Sequence, residues 1–376
     1  MRVVADTRPL FDAEAFAAEQ ARLGRLWTLL GFASDLRRDN DWFRTVLGGR
    51  SVFVQRFRDG LRGFENRCAH RSYPLRLTER GHGPIICGFH HWRYDAEGIA
   101  AGIPNCQDAF GCKPRELGLG LTRLELARCG DLIFGRFPDG GPTLEHALGP
   151  AFDVIAALCP DLGRAARAVL PIRANWRLFQ WIGHDEYHLA AVHPGTFGKK
   201  GRYLPSKALN YVRFGLHSAF FLGQGSGTLA DWLARLRGGG RDPVGYRILH
   251  LFPDCSIALI PPIRVLGMEF RYVVVFRTIA LAHDRSEVSV RVLRWRPGAG
   301  GRGVASRIAD LFEPPRLLLA RHVTLRVLKE DRAICENLQG QARQIAPEAP
   351  LGATETRVGW FNEAYADAMR GAAPPP

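Results

Sequence analysis

Two short segments of this 376-residue chain carry residues suited to holding a metal group: Cys68-Ala69-His70 and, after sixteen intervening residues, Cys87-Gly88-Phe89-His90. Thiolate is a soft, electron-rich ligand, and imidazole binds iron as a neutral one. Two of each can therefore divide a two-iron, two-sulfide cluster into a Cys-held and a His-held iron, which lifts its potential above that of an all-Cys cluster. Zinc takes the same residue types and stands as the alternative, although zinc fingers usually keep their cysteines together and their histidines together. Here each loop supplies one of each, and the second runs on into His91-Trp92-Arg93-Tyr94-Asp95.

A second constellation follows about a hundred residues later. Asn175-Trp176-Arg177 opens a segment that contains Asp185, His188 and His193-Pro194. Five residues is an imperfect spacing for one helical face, so a helix end is expected, with a loop bringing His193 back. Further on, Lys329-Glu330-Asp331 through Glu336 and Gln339 reads as a helix with polar groups along one side, and one of its carboxylates is available to complete a site. Two histidines and a carboxylate on one face of Fe(II) leave the opposite positions open for O2 and for a water that substrate displaces, which is an oxygenase geometry. Buried histidines that are only hydrogen-bonded are the competing reading.

The elements that must carry these residues divide in two. Residues 11–30 have apolar residues at near-helical spacing, and from Trp42 the pattern becomes alternating, with a hairpin signal at Asp59-Gly60. Gly83-Pro84 and the short apolar Ile85-Ile86 lead into the second Cys/His loop, and strand-like patterning over 119–135 closes a small β domain near residue 137. Pro138-Asp139-Gly140-Gly141-Pro142 is the clearest break. Beyond it, 143–158 reads as a helix, and 165–172, 247–251, 256–260, 269–279 and 287–293 read as strands of an antiparallel sheet. A Gly/Pro-rich interruption at 297–303 precedes a long helix from near Pro315 toward Gly340. The expected organisation is an extension over 1–26, a small β domain over 27–137, a larger α+β domain over 138–370 and a tail over 371–376.

A hydrophobic fraction of 46% is that of a globular protein. No basic segment leads into an apolar run with a small-residue cleavage site, and no apolar stretch is long enough to span a bilayer, so a cytoplasmic protein without membrane contact is expected. Cys106, Cys112, Cys129 and Cys159 lack partners at metal-ligand spacing and read as packing residues. The net charge of +14 is spread through every segment. No basic run is interleaved with aromatics, which argues against a nucleic-acid groove; steering of an acidic protein partner and a compositional bias of the host are the two equal readings.

Taken together, the paired Cys/His loops, Asn175-Trp176-Arg177, the Asp185/His188/His193 spacing and Glu330-Asp331 with Glu336 and Gln339 resemble the large (alpha) catalytic subunit of the Rieske non-haem iron oxygenases, the ring-hydroxylating oxygenases, over about residues 24–340. The resemblance implies a small all-β Rieske [2Fe-2S] domain and a catalytic domain with a helix-grip-like antiparallel sheet flanked by helices. It implies Cys68, His70, Cys87 and His90 as cluster ligands and His188, His193 and Asp331 as Fe(II) ligands, with Glu330 the nearest rival to Asp331. Asp185 would join His188 to His90 of the next copy in a head-to-tail homotrimer. A β subunit is not required.

O2 is then the cosubstrate. No Gly-rich nucleotide fingerprint is present, so NAD(P)H would act only indirectly, through a separate flavin reductase or ferredoxin. The expected function is hydroxylation of a small, aromatic substrate. Oxidative N- or O-demethylation and oxidation of a quaternary ammonium compound are the alternatives, the last requiring an aromatic cage. A Rieske electron carrier is the reading outside enzymes. The chain departs from the family at Trp181-Ile182, where Glu-Asn is common, and at Ser72, where Gly is usual. Tyr187, His217, Phe220, Met268 and Phe270, with Trp181 and Ile182, are candidates for lining or supporting the pocket, and His91 for tuning hydrogen bonds near the cluster.

Overall fold

The computed structural model describes residues 2–4, 6–160, 165–195, 203–204, 208–222, 227–238, 246–260, 263–265, 268–295 and 313–371; of 2–4, 263–265 and 268–270 it describes the backbone alone. The chain divides into two compact units, residues 23–144 and residues 1–22 together with 145–376. A short strand, β1 (Arg2–Val4), opens the chain.

The smaller unit is all β at its centre. Strands β2 (Thr28–Phe32), β3 (Asp41–Leu47), β4 (Arg50–Phe57), β5 (Gly60–Glu65) and β6 (Arg80–His82) form one antiparallel sheet with two later strands; β7 (Ile85–Ile86), β8 (Arg93–Tyr94) and β9 (Ala100–Gly102) form a second; β10 (Arg123–Cys129) and β11 (Leu132–Arg136) complete the first in the order β2-β11-β10-β5-β4-β3-β6. Gly48 and Gly49 both lie at positive φ between β3 and β4, as a tight two-residue hairpin requires. The Asp59-Gly60 signal does mark a hairpin, but Phe57 pairs with Gly60, so Arg58 and Asp59 form the loop and Gly60 already belongs to β5. The helix expected over 11–30 spans only Ala13–Leu23, and Thr28–Phe32 is instead drawn into the sheet by pairing with β11.

Both Cys/His loops fold the same way. In the first, Cys68 N–H donates to the Tyr73 carbonyl at 2.9 Å and Ser72 N–H to the Cys68 carbonyl at 3.0 Å; in the second, Cys87 N–H donates to Trp92 at 2.9 Å and His91 N–H to Cys87 at 3.0 Å. The residue four after each cysteine, Ser72 and His91, is left-handed at φ 57°. That is why Gly suits the first position, and why Ser is the unusual choice.

The larger unit is built on an eight-stranded antiparallel sheet. Its strands are β12 (Ala165–Ile172), β13 (Leu209–Phe214), β14 (His217–Leu222), β15 (Arg247–Leu251), β16 (Cys255–Leu259), β17 (Ile263–Val265), β18 (Met268–Ala282) and β19 (Arg285–Trp295), ordered β12-β19-β18-β16-β15-β14-β13 with β17 on β18. Tyr272 to Val275 are buried in succession, the mark of a strand covered on both faces. Leu178, Phe179 and Ile182 of helix Trp176–Gly183 and Leu317, Ala320, Leu328 and Cys335 of helix Glu313–Gln339 pack with Val274, Val288, Val290 and Val292 of the sheet. The antiparallel sheet flanked by helices is thus the fold expected of the larger part. The helix expected over 143–158 is interrupted: Gly149 is left-handed before Pro150, giving Leu144–Leu148 and Ala151–Leu158. A final strand, β20 (Glu348–Pro350), pairs with β1, and helix Thr356–Arg370 follows. The interruption at 297–303 and the tail from residue 372 lie outside the described residues. Among the described residues no helix is long and apolar enough to cross a membrane.

Because Ser72 bears the left-handed penalty, Ser72→Gly is expected to raise the stability of the smaller unit by up to about 1 kcal/mol. Urea unfolding followed through the cluster chromophore measures it; an unchanged or lowered midpoint contradicts it.

Candidate active site

In the smaller unit the two loops bring their ligating side chains together. Cys68 and Cys87 are both buried. The rings of His70 and His90 lie edge to face with centroids 4.7 Å apart, and His70 stacks on Trp92 at 4.6 Å. Burial, then the neighbouring His90, hold His70 below its ordinary pKa and favour the neutral imidazole that a metal binds. Burial pushes the Cys87 thiol up, and the Cys68 thiol beside it adds to the rise, while the N–H groups of Phe89 and His90 pull it down. His70 Nδ1 is buried and has no hydrogen-bond partner. A ring nitrogen left orphaned beside another imidazole and two thiols fits a bound cluster.

Tyr94, to which the sequence pattern assigned no role, sits directly on this centre. Its hydroxyl lies 3.0 Å from Cys68 Sγ and accepts from Ala69 N–H at 3.0 Å. A thiolate can only accept, so in the metal-bearing state the tyrosine hydroxyl is the donor. The signal was the alternation in Trp92-Arg93-Tyr94, which turns Trp92 and Tyr94 inward and leaves Arg93 exposed.

In the larger unit Asn175 caps helix Trp176–Gly183 by accepting from Arg177 N–H at 2.9 Å. The chain then passes through 184–188 into the one-turn helix Leu189–Val192, with His188 and His193 as its two caps. This turn, rather than a return loop, faces the two rings toward each other. Their Nε2 atoms are 3.2 Å apart. Asp331 Oδ1 lies 3.5 Å from His188 Nε2 and 2.8 Å from His193 Nε2. One ligand atom from each of these three residues lies within 4.8 Å of the other two.

Three donor atoms at such spacings suit a single first-row metal ion with bonds of about 2.1 Å. Asp331 Oδ1 is buried and lacks an aligned hydrogen-bond donor, although it lies so close to His193. Without a metal the cluster must hold a proton instead. Burial opposes charge on His188, but Asp185 and Asp331 outweigh it and push its pKa up to about 9. Burial likewise opposes charge on Asp331, and His188 and His193 outweigh it and hold the carboxyl below its ordinary value.

Asp331, not Glu330, faces this centre because it falls on the buried stripe of the long helix, with Leu328 three residues before it and Cys335 four after. Glu330 instead supports a ligand from behind, with its Oε2 2.7 Å from His193 Nδ1. An Nδ1–H donated there leaves Nε2 as the lone-pair atom facing the centre. Asp185 accepts from the N–H groups of Tyr187 at 2.6 Å and His188 at 3.3 Å through Oδ1, and its Oδ2 stands 3.6 Å from His188 Nδ1.

The remaining candidates separate. Ile182 is core, and Trp181 donates from Nε1 to Asn362 Oδ1 at 2.8 Å. Phe220 packs with Tyr211 and Tyr246, at centroid distances of 5.9 and 6.2 Å. His217 spends both ring nitrogens on backbone, at Ala147 O and Phe252 N, each 3.0 Å away. Tyr187 is 55% exposed and stacks on Tyr203. The side chains of Met268 and Phe270 lie outside the described residues. His91 is exposed.

The chain matches the Rieske [2Fe-2S] domain family over residues 26–116 and the ring hydroxylating alpha subunit (catalytic domain) family over residues 160–371. It is 32% identical over 193 residues to the large oxygenase component of salicylate 5-hydroxylase from Ralstonia sp., covering 46% of this chain and 44% of that one. It is 28% identical over 190 residues to the oxygenase subunit of carnitine monooxygenase from Escherichia coli K12, covering 49% of this chain and 50% of that one. The chain thus spans about half the length of these curated relatives. Among solved structures, a quaternary ammonium Rieske monooxygenase in complex with L-carnitine overlays at a TM-score of 0.71 and 17% identity, covering 98% of this chain and 96% of that one. Naphthalene 1,2-dioxygenase from Rhodococcus sp. overlays at 0.74 and 20%, covering 98% and 94%. At these identities the overlays establish the fold.

Two outcomes follow from the geometry. Tyr94→Phe removes the donor to the Cys68 sulfur and should lower the cluster potential by tens of millivolts, the one-electron equivalent of a hydrogen bond worth about 1 kcal/mol; redox titration with an unshifted midpoint would refute it. Separately, His184 is held down to about 3 by burial and then Arg357, His217 to about 4 by burial, and His250 well below its ordinary value by burial, then His184 and Arg357. These groups take up protons only on unfolding. The contribution of these three groups to stability is therefore full above about pH 6.5 and falls below it by about 1.4 kcal/mol per group per pH unit. Urea midpoints of the metal-free protein should drop between pH 7 and pH 5, and His217→Gln should flatten that slope.

Proposed function

The chain belongs to the ring-hydroxylating oxygenase alpha-subunit family, whose catalytic-domain signature covers more than half of it, and from that premise we propose that it is the terminal oxygenase of a multicomponent system. In this reading it draws electrons from a separate reductase, directly or through a ferredoxin, and oxidises a small organic substrate with O2. The observation that carries the reading is the convergence of His188, His193 and Asp331 in one unit, with paired Cys/His loops in the other.

When bound, the [2Fe-2S] cluster supplies one-electron transfer and the mononuclear Fe(II) supplies binding and activation of O2. Cys68, His70, Cys87 and His90 would hold the first, and His188, His193 and Asp331 the second. Glu330 keeps the Nδ1 proton of His193 in place, which fixes the ring's tautomer and aim. Asp185 caps the turn that carries His188 and keeps its second carboxylate oxygen toward the ring. In a head-to-tail trimer, as the family resemblance implies, that carboxylate would meet His90 of a neighbouring copy and make the electron path intermolecular.

For the substrate, the quaternary ammonium alternative takes precedence over the aromatic compound favoured by the sequence. Its support is the quaternary ammonium Rieske monooxygenase matched over nearly the whole chain, together with the identity to a carnitine monooxygenase subunit. An aromatic substrate remains the second reading, supported by the salicylate 5-hydroxylase and naphthalene dioxygenase likenesses.

With a reconstituted reductase, wild-type protein should show substrate-dependent O2 uptake, while Asp331→Ala should keep a reducible cluster and lose that uptake. Equal uptake in the variant would overturn the oxygenase reading. Product analysis then separates the substrates: an aldehyde released from a trimethylammonium compound supports the first, and a hydroxylated salicylate-type ring the second.

A further inference from the structure

Residues 184–188, which carry Asp185 and lead to the metal-facing rings, belong to no helix or strand. Local hydrogen bonds hold part of this stretch, Asp185 N–H to the Ile182 carbonyl at 3.1 Å and the N–H groups of Tyr187 and His188 to the Asp185 carboxylate, but they tie the segment only to its own neighbours, and tertiary contacts fix it against the rest of the unit. Those contacts come from the other end of the chain. Arg357, in the first turn of helix Thr356–Arg370, is fully buried. Its Nη2 donates to the Gly183 carbonyl at 3.2 Å and pairs with the buried Glu186 carboxylate. The turn before it contributes backbone: the Thr354 carbonyl accepts from Glu186 N–H at 3.2 Å and from the Tyr211 hydroxyl at 3.3 Å. Asn362, further along the same helix, accepts from Trp181. The guanidinium also lies 5.8 Å from the Tyr211 ring centroid and 5.5 Å from that of Phe220.

A fully buried ion pair is an expensive way to gain stability, because desolvation of the two charges consumes most of their attraction. It does confer fixed geometry. One guanidinium nitrogen holds the segment on both sides of Asp185, at Gly183 and at Glu186, while the charge lies within 6 Å of two aromatic ring centroids. We propose that Glu186 and Arg357 are a positioning pair, which sets the 183–188 segment so that Asp185 and His188 are preorganised for the mononuclear metal. The proposal rests on the metal-site reading above. Arg357 touches neither metal nor substrate and acts through the segment it clamps. Lysine would keep the charge but replace the rigid guanidinium by a single flexible ammonium.

The test is Co(II) binding to cluster-loaded protein stripped of mononuclear iron, measured by calorimetry alongside the thermal unfolding midpoint. The double variant Glu186→Gln/Arg357→Met removes both charges and leaves no lone one buried, so the fold should be retained. Its Co(II) affinity should fall about tenfold or more with an unfolding midpoint near that of wild type, and Arg357→Lys should fall between the two. Wild-type affinity in the double variant overturns the proposal. If that variant does not fold, Arg357→Lys decides: weakened binding with a retained midpoint supports the pair's role, and unchanged binding overturns it. His188→Ala separates the two claims. Co(II) bound there as tightly as by wild type would defeat the metal-site reading itself, whereas loss there with unchanged affinity in the pair variants defeats only the positioning role.

Discussion

Two imidazole nitrogens 3.2 Å apart, with a buried carboxylate oxygen against them, are the constraint around which the larger unit is arranged. Such a cluster is costly in a protein interior unless a shared cation or proton neutralises it, because lone pairs repel at that distance and burial weakens solvation. Each surrounding element answers part of that cost. Glu330 takes the far nitrogen of His193, Asp185 caps the turn that carries His188, and the long helix brings Asp331 in along its apolar stripe. The eight-stranded sheet gives those helices a rigid surface to pack on, so the donor atoms are held by the core and not by their own loop.

The smaller unit solves the corresponding problem locally. Both Cys/His loops repeat one hydrogen-bond pattern, each closing around a left-handed residue four positions after its cysteine. The cost of that conformation is borne by Ser72 and His91, and the gain is two thiols and two imidazoles presented from one surface. Trp92 stacked on His70 and Tyr94 on the Cys68 sulfur complete the centre from a single short strand region. The Cys/His centre is thereby built from 27 consecutive residues, 68–94, while the His188/His193/Asp331 centre gathers residues from two distant parts of the chain, 185–193 and 330–331. In the proposed trimer, a function divided in this way needs only that the two centres approach each other across copies, with the half-buried Asp185 carboxylate on one side and the exposed His90 ring on the other.

Much of this was legible in the residues themselves. The Cys/His loops, the Asp185/His188/His193 spacing, the strand at Ala165–Ile172 and the long helix ending at Gln339 are local patterns, written in the few residues that form them. A turn's hydrogen bonds and a helix's apolar stripe depend on neighbours within about one or two turns, so type and spacing carry the information. Between Asp331 and Glu330 the sequence left the choice to the family resemblance, and it is the burial of Asp331 with Leu328 and Cys335 that separates them.

Tertiary structure alone decided the rest. That Glu330 orients His193, that His217 is spent on backbone, and that Glu186 meets Arg357 from 171 residues away have no local signature. Such contacts depend on which helix faces pack together, and packing is settled by the fit of side chains across the whole core. The sequence by itself determined which atoms were available to bind metal and how the cluster loops would turn, because those follow from chemistry and short-range backbone geometry. How the mononuclear donors converge, and which groups hold them there, was decided only when sheet and helices closed on one another.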